Sequence, residues 1–466
     1  MSQPRLLHSL RRIAPLAWPI FIGQIAVLAF ATIDTLMAAR YAALDLAALA
    51  IGGAAYITVF IGLMGVVLAI APITGQLFGA GRLREAGQQL HQAMWLALGL
   101  SVIGCLLLLF PQPFLILSQA SDPVAMKVRA HLTALAFALP QALLFTAFRA
   151  FNNAVSRPKI AMILQLGALV LKVPLTALFV FGTDLPGAGL HLPGLGAPGC
   201  GVATAIVMWV QFLVAWTLLT RDPFYARFSL TARISAPRSA SLVALLRLGI
   251  PMGLSIGIEV AGFTFMAFFI SRLGMTPVAG HQIAVNLVSL LFMMPLAIGN
   301  ATSTLVAQRV GAGDRADARR VGWHGVELGV LIAAVMGGTV FLLRENILGL
   351  YTRDAVVVGA ALPLLAWLAV FHVADAAQTV AAYVLRAYRV VTAPLVIYAV
   401  AIWGVGIGGG FVLAFNVAGL GPVSLQGAQG FWAAATAGLV LAAFGMSGFL
   451  LWMLRKQARA VVLAAS

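Results

Sequence analysis

Long apolar segments recur along the whole of this 466-residue chain, separated by short polar interruptions. A helix of about 20 apolar residues crosses the hydrocarbon core of a bilayer, where only helices and closed barrels satisfy their own backbone. The pattern predicts twelve spans, near 14–39, 46–72, 91–112, 130–151, 159–182, 200–219, 248–271, 280–305, 322–343, 358–385, 393–416 and 430–454. Residues are 62% hydrophobic and 9% charged, far from the soluble range of about a quarter charged, and no stretch is left over for a soluble domain. The fold class is therefore all-α integral membrane. The run over 13–39 is too long for a signal-peptide core and reads as a retained first helix.

A net charge of +16 raises nucleic acid as a partner, so the placement of the basic residues has to decide. With both termini cytoplasmic, 22 of the 29 Lys and Arg fall on the cytoplasmic side, among them Arg5, Arg11, Arg12, Arg82, Arg157, Arg233, Arg309, Arg319 and Arg455. Arg40, Lys127, Arg129, Arg272, Arg344 and Arg353 fall on the other side, and Lys172 lies within a span. This is the positive-inside pattern of a multi-pass protein, and it explains the basic balance without nucleic acid. The cysteines, Cys105 and Cys200, lie in or beside apolar segments and offer neither a disulfide framework nor a Cys-based metal site.

Prolines such as Pro19, Pro140, Pro174, Pro251, Pro295 and Pro363 fall within or at the ends of spans, where they favour kinks. The run GVGIGGG (404–410) follows no strand, so it reads as close helix packing rather than as a phosphate loop.

The chain repeats itself. GQLFGAGRLREA (75–86) aligns without gaps on AQRVGAGDRADA (307–318) at an offset of 232 residues, and Pro19 meets Pro251 at the same offset. Gln141 and Arg149 match Gln378 and Arg386, and GAPG (196–199) sits opposite GAQG (427–430). Six spans per half return the chain to its starting side, so the repeats are parallel, a transporter architecture. The expected organisation is an N-lobe over 1–222, a basic cytoplasmic linker over 223–247 and a C-lobe over 248–466, the two lobes rocking around a central cavity.

Ionisable side chains inside the membrane mark functional sites by default. Asp34, Lys172, Glu259, Glu327 and Asp375 are the candidates. Glu259 and Asp375 both belong to the second repeat, and two carboxylates in one dry cavity repel, so that the pair can take up a proton or hold a monovalent cation. The structural alternative is a carboxylate hydrogen-bonded to a neighbouring helix. Lys172 calls for a carboxylate, and Asp34 is the acid proposed to pair with it; alternatively Asp34 faces Arg40 and Lys172 snorkels to an interface. Glu327 reads as solvated. His372, one turn before Asp375, is placed to hand on a proton or simply to pack.

Together IDTLMAARY (33–41), TGQLFGAGRLREAG (74–87), FRAFNNAVSRPKIAM (148–162), GAPGCGVATAIVMW (196–209), Glu259 in PMGLSIGIEV, VAGHQIAVN (278–286), VAQRVGAGD (306–314) and ADAAQ resemble the multidrug and toxic compound extrusion family, in its NorM-like branch. The resemblance implies a twelve-helix secondary transporter, not an enzyme, in a bacterial-type inner membrane. It implies export of cationic or amphipathic organic compounds as a monomer, driven by inward H⁺ or Na⁺, with no cofactor. It also places the cation-coupling acids on Asp34 in the N-lobe and on Glu259 and Asp375 in the C-lobe, and a polar position of the N-lobe cation site on Thr204. Two departures stand out. Where relatives carry an asparagine-rich pattern in the fifth helix this chain reads KVPLT, giving Lys172 and Thr176, and where a tyrosine often precedes Asp375 it has Phe371. Sodium prefers oxygen ligands; both changes favour H⁺, while a Na⁺ at Glu259 and Asp375 stays open.

Three other readings remain. A lipid-linked saccharide flippase of the same superfamily would need a cationic cavity, whereas the C-lobe charges are acidic. A membrane-embedded transferase would cluster His, Asp or Glu at one face, yet the histidines are scattered from His8 to His372. A major facilitator fold would carry a basic loop motif unlike residues 75–87.

Overall fold

The computed structural model describes residues 6–185, 190–230, 234–419 and 421–465; Arg5 and Arg233, counted above among the basic residues, lie outside the described residues. Within the described residues, twelve helices are long and apolar enough to cross a membrane. They are α1 (Leu6–Tyr41), α2 (Ala43–Gly79), α3 (Leu83–Leu109), α4 (Asp122–Ala154), α5 (Pro158–Phe181) and α6 (Ala197–Arg221). The second half supplies α7 (Ser239–Ser271), α8 (Met275–Gly311), α9 (Arg315–Leu342), α10 (Ala355–Ala387), α11 (Thr392–Ala414) and α12 (Ala428–Lys456).

Several helices outrun the expected spans, because polar turns continue the backbone bonding past the apolar stretch. In α2 a turn at Leu68 and Ala69 restarts the helix at Ile70, so Pro72 falls in a first turn, where its missing N–H is not needed. The glycine run is more than packing. Val400–Gly409 form a π-helical stretch, and within the glycine run tight contact is uneven: a Cβ on Gly410, just past that stretch, would lie 2.6 Å from the Phe431 ring, while Gly404 faces open space. Between α5 and α6 two short strands that the span pattern did not signal, β1 (Gly182–Leu185) and β2 (Leu190–Pro193), pair antiparallel.

The chain forms two compact units, Ile22–Gly253 and Met1–Phe21 with Leu254–Ser466. In the first, α4 is the central helix, packed against α2, α3 and α6; in the second, α10 takes that place against α8, α9 and α12. Each partner stands six helices from its counterpart, as parallel repeats require. Division by packing thus falls inside α1 and α7, whereas division by repeat falls at residues 222 and 248. Both transfer points lie two residues beyond the matched prolines, Pro19 and Pro251.

Polar clamps hold the transferred helix leads. In one unit, Arg12 donates to both carboxylate oxygens of Asp317 on α9 at 3.1 and 2.9 Å, and Ser9 pairs with His324 at 2.6 Å. Ile13, Ala17 and Ile20 enter that unit's core. In the other, Trp95 and Gln92 of α3 donate to the carbonyls of Ser235 and Ala236, and the Arg238 N–H donates to Gln92. Glu327 is exposed.

Candidate functional site

In the Ile22–Gly253 unit, Asp34 on α1, Lys172 on α5 and Thr204 on α6 come together. Lys172 Nζ lies 2.8 Å from Asp34 Oδ1, donates to Oδ2 at 3.0 Å and to the Cys200 carbonyl at 3.2 Å, and also donates to the Thr204 hydroxyl. Cys200 and Thr204 are one turn apart on α6, which sets a carbonyl and a hydroxyl side by side. The three protons of the ammonium therefore all find acceptors. That is how a lysine with 0% exposure stays in the interior as an ion. The carboxylate turns to Lys172 rather than to Arg40. Thr176, buried one turn beyond Lys172, faces Asp34 without reaching hydrogen-bond geometry.

In the other unit, α10 carries Phe371, His372 and Asp375, all buried. Asp375 is 4% exposed, with the Gln378 and Thr379 side chains turned to it, and the charge of Glu259 from α7 acts on it. Glu259 itself is half-buried and feels Arg386. Among the described residues, no lysine or arginine forms a salt bridge with either acid. Phe371 packs on Phe263 and Trp432, with ring centroids 6.1 and 5.5 Å apart. His372 keeps its Nε2 without a partner and makes no hydrogen bond to Asp375.

Two features escaped the sequence reading. Tyr398 on α11, 5% exposed, feels the charges of both Glu259 and Asp375, so a phenol from another helix stands near the acids although Phe371 supplies none. The second is Asp45, a lone acid in an apolar stretch and so visible by the rule that found Asp34. Buried at the start of α2, it accepts from Lys127 at 2.7 and 2.8 Å and from the Ala197 N–H at 2.7 Å. It thereby ties the first turns of α2 and α6 to the second turn of α4. A side chain at Gly196 would collide with it: a Cβ there would lie 2.1 Å from Asp45 Oδ1, and φ is +64°.

Two parallel six-helix repeats with buried acids are the architecture of a membrane transporter. The MatE family model matches residues 19–178 and 251–412, one segment in each repeat. The chain is 40% identical over 94% of its length, and 92% of the relative's, to a probable multidrug resistance protein NorM of Aromatoleum aromaticum. It is 35% identical to the multidrug resistance protein NorM of Vibrio cholerae, covering 95% of each chain. The crystal structure of the eukaryotic MATE transporter AtDTX14 shares the fold, with a TM-score of 0.85 over 98% of both chains at 21% identity. This chain belongs to the MatE family, the multidrug and toxic compound extrusion transporters, and is a multi-pass membrane secondary transporter.

Proposed function

We propose that the protein exports cationic and amphipathic organic compounds by alternating access in exchange for inward H⁺, with Na⁺ as the alternative coupling ion. The observation that carries this reading is the pair of acids Glu259 and Asp375, which lack the lysine that Asp34 has. Negative charge in a low-dielectric site needs a partner, and a proton and an organic cation compete to supply it. Protonation from outside releases the substrate; deprotonation towards the cytoplasm readies the site for the next one. Both termini are cytoplasmic in this scheme, as the basic residues require, and the monomer is the working unit. The names of the relatives support drugs as cargo.

In this scheme Asp375 and Glu259 bind the coupling ion. Lys172, itself held by Thr204, keeps Asp34 in a fixed ion pair that disfavours Na⁺ there, with Thr176 buried beside it. His372 lies beside the acids, and Phe371 withholds an oxygen from a Na⁺ shell. The test is fluorescent organic-cation transport in inside-out vesicles under an imposed H⁺ or an imposed Na⁺ gradient, for the wild type and Asp375→Asn. Transport under H⁺ that the variant loses supports the reading. Transport under Na⁺ alone overturns the choice of ion, and no transport under either gradient overturns drug export in favour of lipid-linked cargo.

A further inference from the structure

His281 lies in the second turn of α8, 1% exposed, and neither of its ring nitrogens has a hydrogen-bond partner among the described residues. Its ring meets Trp432 of α12 at 6.0 Å and an interplanar angle of 66°. Trp432 is fully buried, and its indole N–H is also without a partner. It also packs against Phe371, the neighbour of His372, whose Nε2 is a further unpartnered nitrogen.

Ring contacts join these groups in succession. Helices α8 and α12 each pack on α10, and the alternation of spans has all three begin at the same membrane face. Gly280 abuts the backbone of α10, where a Cβ would lie 3.2 Å from the Ala361 nitrogen. At 1.5 Å per residue, Asp375 lies about 21 Å further along α10. Trp432 touches both His281 and Phe371, and Phe371 and His372 stand one turn before Asp375 on α10.

A neutral imidazole presents one donor and one acceptor, and an indole presents one donor. Burying them unpaired costs what an unmade hydrogen bond costs, a loss that leucine or phenylalanine in their place would not incur. Four such nitrogens on three neighbouring side chains, His281, Trp432 and His372, call for a polar occupant.

We propose that His281 and Trp432 form the outer station of a water-carried proton route to Asp375, from the face where α8, α10 and α12 begin. The imidazole orients water by donating at one nitrogen and accepting at the other, Trp432 donates to the same water, and the proton passes along water to the acid. No covalent bond of the protein changes. This inference rests on the proton-coupled reading above.

The experiment compares three activities of the full-length protein in proteoliposomes: organic-cation transport driven by an H⁺ gradient, gradient-free exchange of labelled tetraphenylphosphonium, and tetraphenylphosphonium binding. His281→Leu should lower proton-driven transport about tenfold while exchange and binding stay within about twofold, the signature of a lost coupling step rather than of lost substrate contacts. His281→Asn keeps one donor and one acceptor and should restore most of the driven rate. Trp432→Phe, which keeps a ring and removes the N–H, should slow driven transport alone, and it decides the matter if His281→Leu does not fold. Wild-type rates in both apolar variants, or equal losses in all three activities, overturn the proposal. Where the wild type is proton-driven and Asp375→Asn is not, a normal His281→Leu sinks this inference and leaves the proton-coupled reading standing. A wild type that no H⁺ gradient drives sinks both.

Discussion

The acid of one unit already holds its counter-charge, whereas the acids of the other do not. Asp34 meets a lysine that is itself bonded to Cys200 and Thr204, so the acid has its counter-charge and all three protons of the ammonium have acceptors. Glu259 and Asp375 act on one another across α7 and α10, with Tyr398 near both and Arg386 felt by Glu259 alone. One fold, repeated in parallel, has thus been given a closed polar site and an open one. A closed site stabilises a packing arrangement; an open one can exchange its partner. Intramembrane acids of one chain thus differ in whether the protein itself supplies the opposite charge, and in the proposed scheme that difference separates a coupling site from a structural ion pair.

The sharpest way to break this contrast is to neutralise each side in turn. Asp375→Asn should reduce gradient-driven transport by about a hundredfold, since the interaction it removes changes during the cycle. Asp34→Asn should act differently, lowering the yield of folded protein by stranding the Lys172 ammonium. Initial rates per folded molecule separate the two. Full driven transport in Asp375→Asn, with none in Asp34→Asn, would reverse the assignment of the open and closed sites.

Next in size is the stability of the closed site. Lys172→Met leaves a carboxylate without its partner and should cost about 3 kcal/mol, read from unfolding in detergent. The double variant Asp34→Asn/Lys172→Met should recover most of that loss, because removing both charges also removes the unpaired one. No recovery would mean that Lys172 acts through packing. A smaller effect comes from giving the open site an extra oxygen. Phe371→Tyr should raise Na⁺-driven transport about threefold, because hard cations take oxygen ligands, and leave H⁺-driven transport nearly unchanged. An unchanged Na⁺ response would mean that Phe371 has no part in the choice of ion.

Much of this could be read from the chain alone, and the limits are physical. Twelve spans follow from hydrophobic length, and the parallel repeat from matched segments such as GAGRLREA and GAGDRADA. Asp34, Glu259 and Asp375 were visible because charge in an apolar run is conspicuous. The packing exchange of the leads of α1 and α7 was not visible, because a continuous helix carries no mark of which unit its first turns join. Tyr398, His281 and Trp432 were hidden for a related reason: tyrosine, histidine and tryptophan near a helix end are ordinary in a membrane protein, and only the meeting of helices far apart in sequence makes them notable. The π-helical stretch in α11 left only a glycine run as its trace, and that run has packing as an equally natural explanation.

The smallest expected effect tests how complete the closed site is. Thr204 accepts from Lys172 and donates to the Cys200 carbonyl, which Lys172 also uses. Thr204→Val keeps the shape and removes the hydroxyl, leaving one ammonium proton to seek another acceptor. The loss should be about 1 kcal/mol if Asp34 and Cys200 draw closer to share that proton, and nearer 3 kcal/mol if they are held rigidly and it stays unmet. Unfolding midpoints of Thr204→Val in the wild-type and Lys172→Met backgrounds separate these outcomes, since the hydroxyl should matter little once the ammonium is gone. An equal loss in both backgrounds would show that Thr204 serves the packing of α6 and that two groups, Asp34 and Cys200, are enough to keep Lys172 charged in the membrane.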